Sequence, residues 1–219
     1  GCDHACSFCA IPSIRGTLRT RPLSDILAEF RELRGRGVYE FNLIAQDLAA
    51  WRDVEGFPSL LRALLAEEGE FLLRPLYLYP DTFPEEVIEI AASDTRVAAY
   101  FDLSFQHASP AVLRRMGRPG DADRYLDLIG RIRDRLPDAA LRSSFIVGFP
   151  GETEEDVETL ADFLRAAALE WVGVFEFSPQ EGTPAATLEG VVPPEEAARR
   201  RGRIEAVQSE VVPRRLRRF

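Results

Sequence analysis

Apolar and polar positions follow two rhythms along the chain. Five short runs, 39–45, 73–79, 100–106, 141–147 and 172–177, are rich in β-branched, aromatic and leucine residues and predict strands. Between and after them the apolar spacing lengthens to that of a helix, over 23–34, 58–66, 84–92, 110–116, 121–136, 154–168 and 194–212. Pro84, Pro110 and Pro194 suit first helical turns, Thr153 suits an N-cap, and Gly35-Arg36-Gly37 suits a helix end. Each strand–helix pair takes roughly 30 residues, as βα units with a parallel sheet do. No low-complexity linker divides the chain, so a single α/β domain over residues 1–219 is expected.

The strands carry polar groups that a parallel strand buried on both faces would not. One alternate set holds Asn42, Ile44 and Gln46; another holds Asp102, Ser104 and Gln106. A third holds Arg142, Ser144 and Ile146, and a fourth Glu176 and Ser178, while the opposite faces are mainly large and apolar. A flat sheet with one wet side or a curled sheet with a polar lumen would both do this, and helices needing the apolar side favour the second. A complete eight-stranded barrel takes about 250 residues and fills its interior with aliphatic side chains. Five or six strands with a polar interior predict an incomplete barrel that holds a ligand at the C-terminal ends of its strands.

Composition narrows the chemistry. In 219 residues there are 27 basic and 36 acidic side chains, a net charge of −9, and every basic residue is Arg. Schiff-base and P-loop lysine chemistry is excluded. Residues 193–219 hold eight Arg against four Glu, a net of +4, which leaves −13 on the remainder. Most of the basic stretch reads as a solvated helix face, with Glu195 and Arg199, Glu196 and Arg200, and Glu210 and Arg214 four apart, and with Pro213 as an early stop. Arg114, Arg115 and Arg118 read as basic residues near a helix C-terminus, with contact to an anionic substrate as the alternative. No apolar run approaches the roughly 20 residues of a membrane span. No signal peptide is visible, and the start at Gly1 is expected to mark a piece of a longer protein.

The strongest signal is Cys2-Asp3-His4-Ala5-Cys6-Ser7-Phe8-Cys9, which contains every cysteine of the chain. Three clustered thiols form a poor disulfide framework and point to a reducing, cytoplasmic compartment. Structural zinc commonly takes two separated ligand pairs, and only His4 could complete such a set here. A [4Fe–4S] cluster held by three thiolates instead leaves one iron open for a ligand.

The C-x3-C-x2-C spacing, with an aromatic before the last Cys, resembles the radical S-adenosylmethionine (SAM) superfamily. The resemblance implies a partial (β/α)6 TIM-like barrel whose first strand is missing from this chain. It also implies a [4Fe–4S] cluster on Cys2, Cys6 and Cys9 with SAM on the open iron. Three further stretches resemble the methylthiotransferase family within it. They are Ile11-Pro12-Ser13-Ile14-Arg15-Gly16 with Thr20-Arg21-Pro22, the run from Ser144 to Thr153, and Glu181-Gly182-Thr183-Pro184-Ala185. Ala45-Gln46-Asp47, Ile11-Pro12-Ser13, Arg142-Ser143-Ser144-Phe145 and Gln180-Glu181-Gly182 are similar to the RimO-like branch, which methylthiolates an aspartate of small-subunit ribosomal protein twelve. The alternatives are the MiaB-like branch, which acts on isopentenyl-adenosine in tRNA, and a non-catalytic zinc or iron–sulfur module. The family pattern further implies a second [4Fe–4S] cluster in a separate N-terminal domain, a small C-terminal β-domain for docking, and an electron donor such as a flavodoxin or ferredoxin. The chain departs from it at Ser104-Phe105, where Pro-Leu is expected.

Candidate roles follow. Phe8 packs near adenine or covers the cluster. Gln46 and Asp47 end a strand at the lumen mouth, where they resemble the segment holding the SAM amino group, or serve as a strand-end cap. Gln106 reaches ribose or substrate. Arg142 suits a SAM carboxylate, or pairs with Asp102 or Glu176. Ser144, Ile146 and Gly148 match the G-x-I-x-G-x-x-x-E pattern that contacts adenine, with Ser in the first place. Glu152 ends that pattern and serves the helix dipole. His107 reads as a packed loop histidine.

Overall fold

The computed structural model describes residues 1–216. Arg217 and Arg218 of the basic stretch, and the Arg214 side chain expected to pair with Glu210, lie outside the described residues. Five strands are present: β1 (Glu40–Leu43), β2 (Leu72–Pro75), β3 (Tyr100–Asp102), β4 (Ala140–Val147) and β5 (Trp171–Glu176). The helices are α1 (Ile11–Arg15), α2 (Leu23–Gly35), α3 (Phe57–Leu65), α4 (Glu86–Ser93), α5 (Pro110–Arg115), α6 (Ala122–Arg135), α7 (Glu154–Ala167) and α8 (Pro194–Leu216). No described helix is long and apolar enough to cross a membrane.

All strand pairs are parallel. β1 pairs with β2, and β3, β4 and β5 form one ladder. Single bridges from Leu73 to Val97 and from Leu78 to Leu103 stitch β2 to the β3 side, so the strands lie side by side in chain order. Helices cover one face only. On β4 the burial alternates strictly: Leu141, Ser143, Phe145 and Val147 are sealed, while Arg142, Ser144 and Ile146 stay half-buried on the open side. Stacked, tilted and edge-on contacts among Phe105, Tyr125, Phe145 and Phe163 lock the sheet to α6 and α7, with ring centroids 4.4–6.5 Å apart.

Caps explain where several helices begin. The Ser109 hydroxyl accepts from Ala111 N–H, the Asp121 carboxylate accepts from Arg124 N–H, and Thr153 and Asp156 close a reciprocal capping box at α7. Pro110 and Pro194 open their helices as expected, whereas α4 starts two residues after Pro84. The stop at Gly35-Arg36-Gly37 is present, with Gly37 at φ +86°.

Four expectations are corrected. β2 and β3 are shorter than their apolar runs: Pro75 has no N–H to continue the ladder, Tyr77 turns to φ +58°, and Gln106 turns to φ +70°. The faces of β5 are inverted. Its register aligns Trp171 with Arg142 and Phe175 with Ile146, so both aromatics point to the open side, 60% and 57% exposed. Glu176 aligns with Val147 on the helix side, where it meets Arg201 of α8 at 3.0 Å. Pro213 does not stop α8, whose last turn is fastened by Arg215 Nε to Glu170 Oε1 at 2.5 Å. Nor is α8 wholly a solvated face, because Arg200 is buried.

Candidate functional site

The cysteine loop lies over the C-terminal ends of the strands and is held there by backbone contacts. Ser7 N–H donates to Met116 O at 2.8 Å, and the Ser7 hydroxyl donates to Arg115 O at 2.7 Å. Ala185 N–H donates to Ser7 O at 2.8 Å, which gives the Gly182-Thr183-Pro184-Ala185 stretch a physical task. Gly117 has φ +69°, and a Cβ there would stand 2.7 Å from Ala5 O. Only glycine lets the end of α5 approach the loop so closely.

On the other side, Asp47 is 2% exposed and holds the loop through His4. His4 Nε2 lies 2.7 Å from Asp47 Oδ2, and its ring stacks on Tyr79 with centroids 3.8 Å apart. Asp47 Oδ1 accepts from Ala49 N–H at 3.0 Å and Tyr79 N–H at 3.3 Å. The carboxylate therefore ties together the ends of two strands and the cysteine loop.

Cys2, Cys6 and Cys9 are free thiols, each half-buried, and all three line one cavity of about 110 Å³. Phe8, Gln46 and Gln106 line it too, as do Tyr77 and Tyr79. Phe8 rests edge-on against Phe149, with centroids 6.4 Å apart. Tyr77 and Gln106 are two of four non-glycine residues with positive φ, and both strained positions fall at this cavity. A second cavity of about 310 Å³ adjoins it through Cys2 and His4 and is lined by Asp47, Arg52 and Thr82.

Arg118 completes the first cavity. It is 5% exposed, donates from Nη2 to Ser104 O at 2.5 Å, and places Nη1 3.6 Å from Cys6 Sγ. Its guanidinium lies 4.0 Å from the centre of the Tyr79 ring, and its Nε has no partner. Burial pushes the Tyr79 phenol well above its ordinary range and the Asp81 carboxyl upward.

The donor set fits an iron–sulfur cluster. Three unpaired thiols share one wall beside a buried cation, and the strand ends opposite offer amide side chains. Among the described residues no three His, Cys, Asp or Glu side chains converge as ligands of a single metal ion.

The other candidates are placed elsewhere. Arg142 is on the open face of β4, 2.8 Å from Asp102 Oδ1, with Ser144 and Ile146 following on the same face. Burial pulls the Arg142 guanidinium down, and Asp102 more than restores it. Gly148 has φ +72°, and a Cβ on it would stand 2.6 Å from Ala197 Cβ, so its missing side chain admits α8 rather than a ligand. Glu152 is buried beneath it, accepting from Gly148 N–H at 2.6 Å, Arg200 Nη1 at 2.8 Å and His107 Nε2 at 3.1 Å. His107 is the packed loop histidine expected, fully shielded from solvent. The sequence-based expectation missed Tyr77 and Tyr79, and it named His4, Ser104 and Arg118 without joining them to this cavity. The Tyr-x-Tyr alternation at the end of β2 was the one signal that could have singled out the two tyrosines.

Residues 1–164 match the family model described as the radical SAM superfamily. The chain is 47% identical over 215 residues to "Ribosomal protein uS12 methylthiotransferase RimO" of Moorella thermoacetica, covering 96% of this chain and 50% of that protein. It is 42% identical over 223 residues to the protein of the same description from Thermotoga petrophila, covering 100% of this chain and 52% of that one. The chain thus spans about half the length of the curated relatives it matches. Among solved structures, coproporphyrinogen III oxidase (HemN) from Escherichia coli, described as a radical SAM enzyme, superposes with a TM-score of 0.71. That match is at 14% identity over 96% of this chain and 50% of the other, a likeness of fold.

Proposed function

The chain belongs to the radical SAM superfamily, and from that premise we propose that it is the core domain of a RimO-like methylthiotransferase acting on an aspartate of small-subunit ribosomal protein uS12. What carries the proposal is the gathering of Cys2, Cys6 and Cys9 with Gln46, Gln106 and Phe8 around one cavity at the strand ends. The relatives at 42–47% identity support the choice of branch. The acidic remainder of the chain suits a basic ribosomal protein as partner.

Cys2, Cys6 and Cys9 hold the cluster and leave one iron for SAM. When bound, the cluster and SAM supply a 5′-deoxyadenosyl radical by one-electron reductive cleavage. Phe8 and Ile146 give adenine apolar surface, and the Gln46 and Gln106 amides orient the polar parts of SAM. Arg142, held by Asp102, keeps donors free for a carboxylate entering the lumen. The lumen, with Trp171 and Phe175 exposed on the open side of β5, shields the reacting C–H bond from water once substrate fills it. Residues 1–219 form one core domain. The remaining half of such a protein supplies a second [4Fe–4S] cluster and a docking domain, and a flavodoxin or ferredoxin supplies electrons in the cytoplasm.

The test is anaerobic reconstitution of the full-length protein containing this chain, followed by SAM, dithionite and uS12. Production of 5′-deoxyadenosine, lost in Cys6→Ala, together with a methylthio mass gain on a uS12 aspartate is the expected result. Methylthiolation of tRNA in place of uS12 would move the substrate to the MiaB-like branch. Bound zinc without iron would overturn the enzymatic assignment.

A further inference from the structure

Arg118 is a buried cation without a carboxylate of its own. Among the described residues it makes no ion pair with Asp or Glu; it meets the Ser104 carbonyl, the Tyr79 ring and Cys6 Sγ, and it also interacts with the Tyr125 phenol. Asp81 is close enough for its carboxyl to feel the guanidinium. Neither oxygen is hydrogen-bonded to Arg118: Oδ1 lies 3.8 Å from Arg124, and Oδ2 has no hydrogen-bond partner. Removing a guanidinium from water is costly unless a counter-charge faces it. The group that Arg118 Nη1 faces directly is the Cys6 sulfur, which gains negative charge once it ligates a cluster.

The backbone fixes this approach. Arg118 N–H donates to Leu113 O at 2.9 Å, closing the end of α5, and Met116 O and Gly117 are docked on the cysteine loop. A residue 112 positions away in sequence is thereby held with Nη1 3.6 Å from Cys6 Sγ. The carbonyl of Ser104 fixes the other arm of the fork. Such an arrangement orients charge toward a cluster ligand without depending on SAM.

Building on the assignment of the three cysteines as cluster ligands, we infer that Arg118 is a positioning residue that sets the reduction potential of that cluster, by holding a fixed positive charge against the Cys6 sulfur. One electron from a low-potential donor adds one negative charge to the cluster; no bond forms or breaks and no proton moves. A neighbouring cation in a poorly solvated site favours the reduced state, and hydrogen bonds to cluster sulfurs act in the same direction.

The experiment is a redox titration of the reconstituted full-length protein without SAM, followed by electron paramagnetic resonance. Arg118→Gln removes the charge and keeps a polar side chain near Ser104. The ratio of reduced to oxidised cluster at a fixed poise should fall about tenfold, a shift of about 59 mV to more negative potential for a one-electron couple. Arg118→Lys keeps the charge and should stay close to wild type. If Arg118→Gln does not assemble a cluster, Arg118→Met is compared with Arg118→Lys, since both cover Tyr79 and differ chiefly in charge. A full iron complement with an unchanged midpoint in the neutral variant overturns the inference. So does an equal shift in the neutral variant and Arg118→Lys. Weakened SAM binding with an unchanged midpoint reassigns Arg118 to ligand binding. Wild-type protein that takes up no iron overturns the cofactor assignment and this inference with it.

Discussion

His107 Nε2 stands 3.1 Å from Glu152 Oε1, and neither side chain reaches solvent. His107 Nδ1 accepts from Ser109 N–H at 2.9 Å, which leaves the ring proton on Nε2 to be donated to Glu152. The other oxygen of Glu152 accepts from Gly148 N–H and from Arg200. One carboxylate therefore joins the loop after β3, the turn after β4 and helix α8. Arg200 supplies the charge that makes burying it tolerable: burial lowers the guanidinium pKa, and Glu152 and Glu196 raise it further than burial lowers it.

Removing that charge should be costly. Arg200→Ala leaves Glu152 buried with neutral partners, and a loss of about 3–5 kcal/mol is expected. Denaturant unfolding of Arg200→Ala and of the exposed control Arg199→Ala checks this. A loss no larger than the control's defeats the claim that Arg200 is the internal counter-ion of Glu152.

Gly148 is required by two separate constraints. Its φ of +72° disfavours any L side chain, and a Cβ would stand 2.6 Å from Ala197 Cβ. Gly148→Ala should destabilise by about 1–3 kcal/mol. Adding Ala197→Gly relieves the contact but not the backbone strain, so the double variant should recover part of the loss. Full recovery would show that packing alone matters, and no recovery that the strain does.

The start of α7 should carry a pH signature. Burial alone would raise the Asp156 carboxyl, but hydrogen bonds from Ser109 and Thr153 hold it below its ordinary value of 3.8. A carboxyl lowered by folding stabilises the folded state above its unfolded pKa and loses that contribution as the pH falls through the lower, folded one. Thr153→Ala should cost about 1 kcal/mol at neutral pH. Ser109→Ala, which removes the bond of 2.5 Å to Asp156 Oδ1, should cost less as the pH drops below 3.8. A cost independent of pH in that variant would detach Asp156 from the effect.

How much of this the sequence disclosed follows from the range of each interaction. The five strands and the polar face of β4 were legible because alternation is local: Arg142, Ser144 and Ile146 must share a side. β5 misled because Phe175 looks like a core residue, while its covered side meets a charged stretch of α8 that can pair with Glu176. The five-residue helix α1 was not foreseen; it buries nothing, and so imposes no apolar period. That Cys2, Cys6 and Cys9 would come together was legible from their close spacing, and they line one cavity. Arg118 was not, since only the turn after α5 brings it from 112 residues away to Cys6. Glu152 was read as a helix-end charge because its partners, His107 and Arg200, lie 45 and 48 positions away.

The cysteine loop offers the last prediction, because it is clamped from two sides. Asp47 grips it through His4 at 2.7 Å. The end of α5 grips it through Ser7, with Gly117 making room for the Ala5 carbonyl. Asp47→Ala frees His4 and also removes the acceptor that ties in Tyr79. Gly117→Ala forces its Cβ toward Ala5 O from a left-handed backbone, a strain of about 1–3 kcal/mol. Each change should lower the iron retained per chain after reconstitution and speed alkylation of Cys2 and Cys6 in the iron-free protein. Because both clamps act on one short loop, the double variant should depart from additivity, as coupled neighbours do. Iron retention and labelling at wild-type rates in Gly117→Ala would show that the loop holds its shape without the α5 contact.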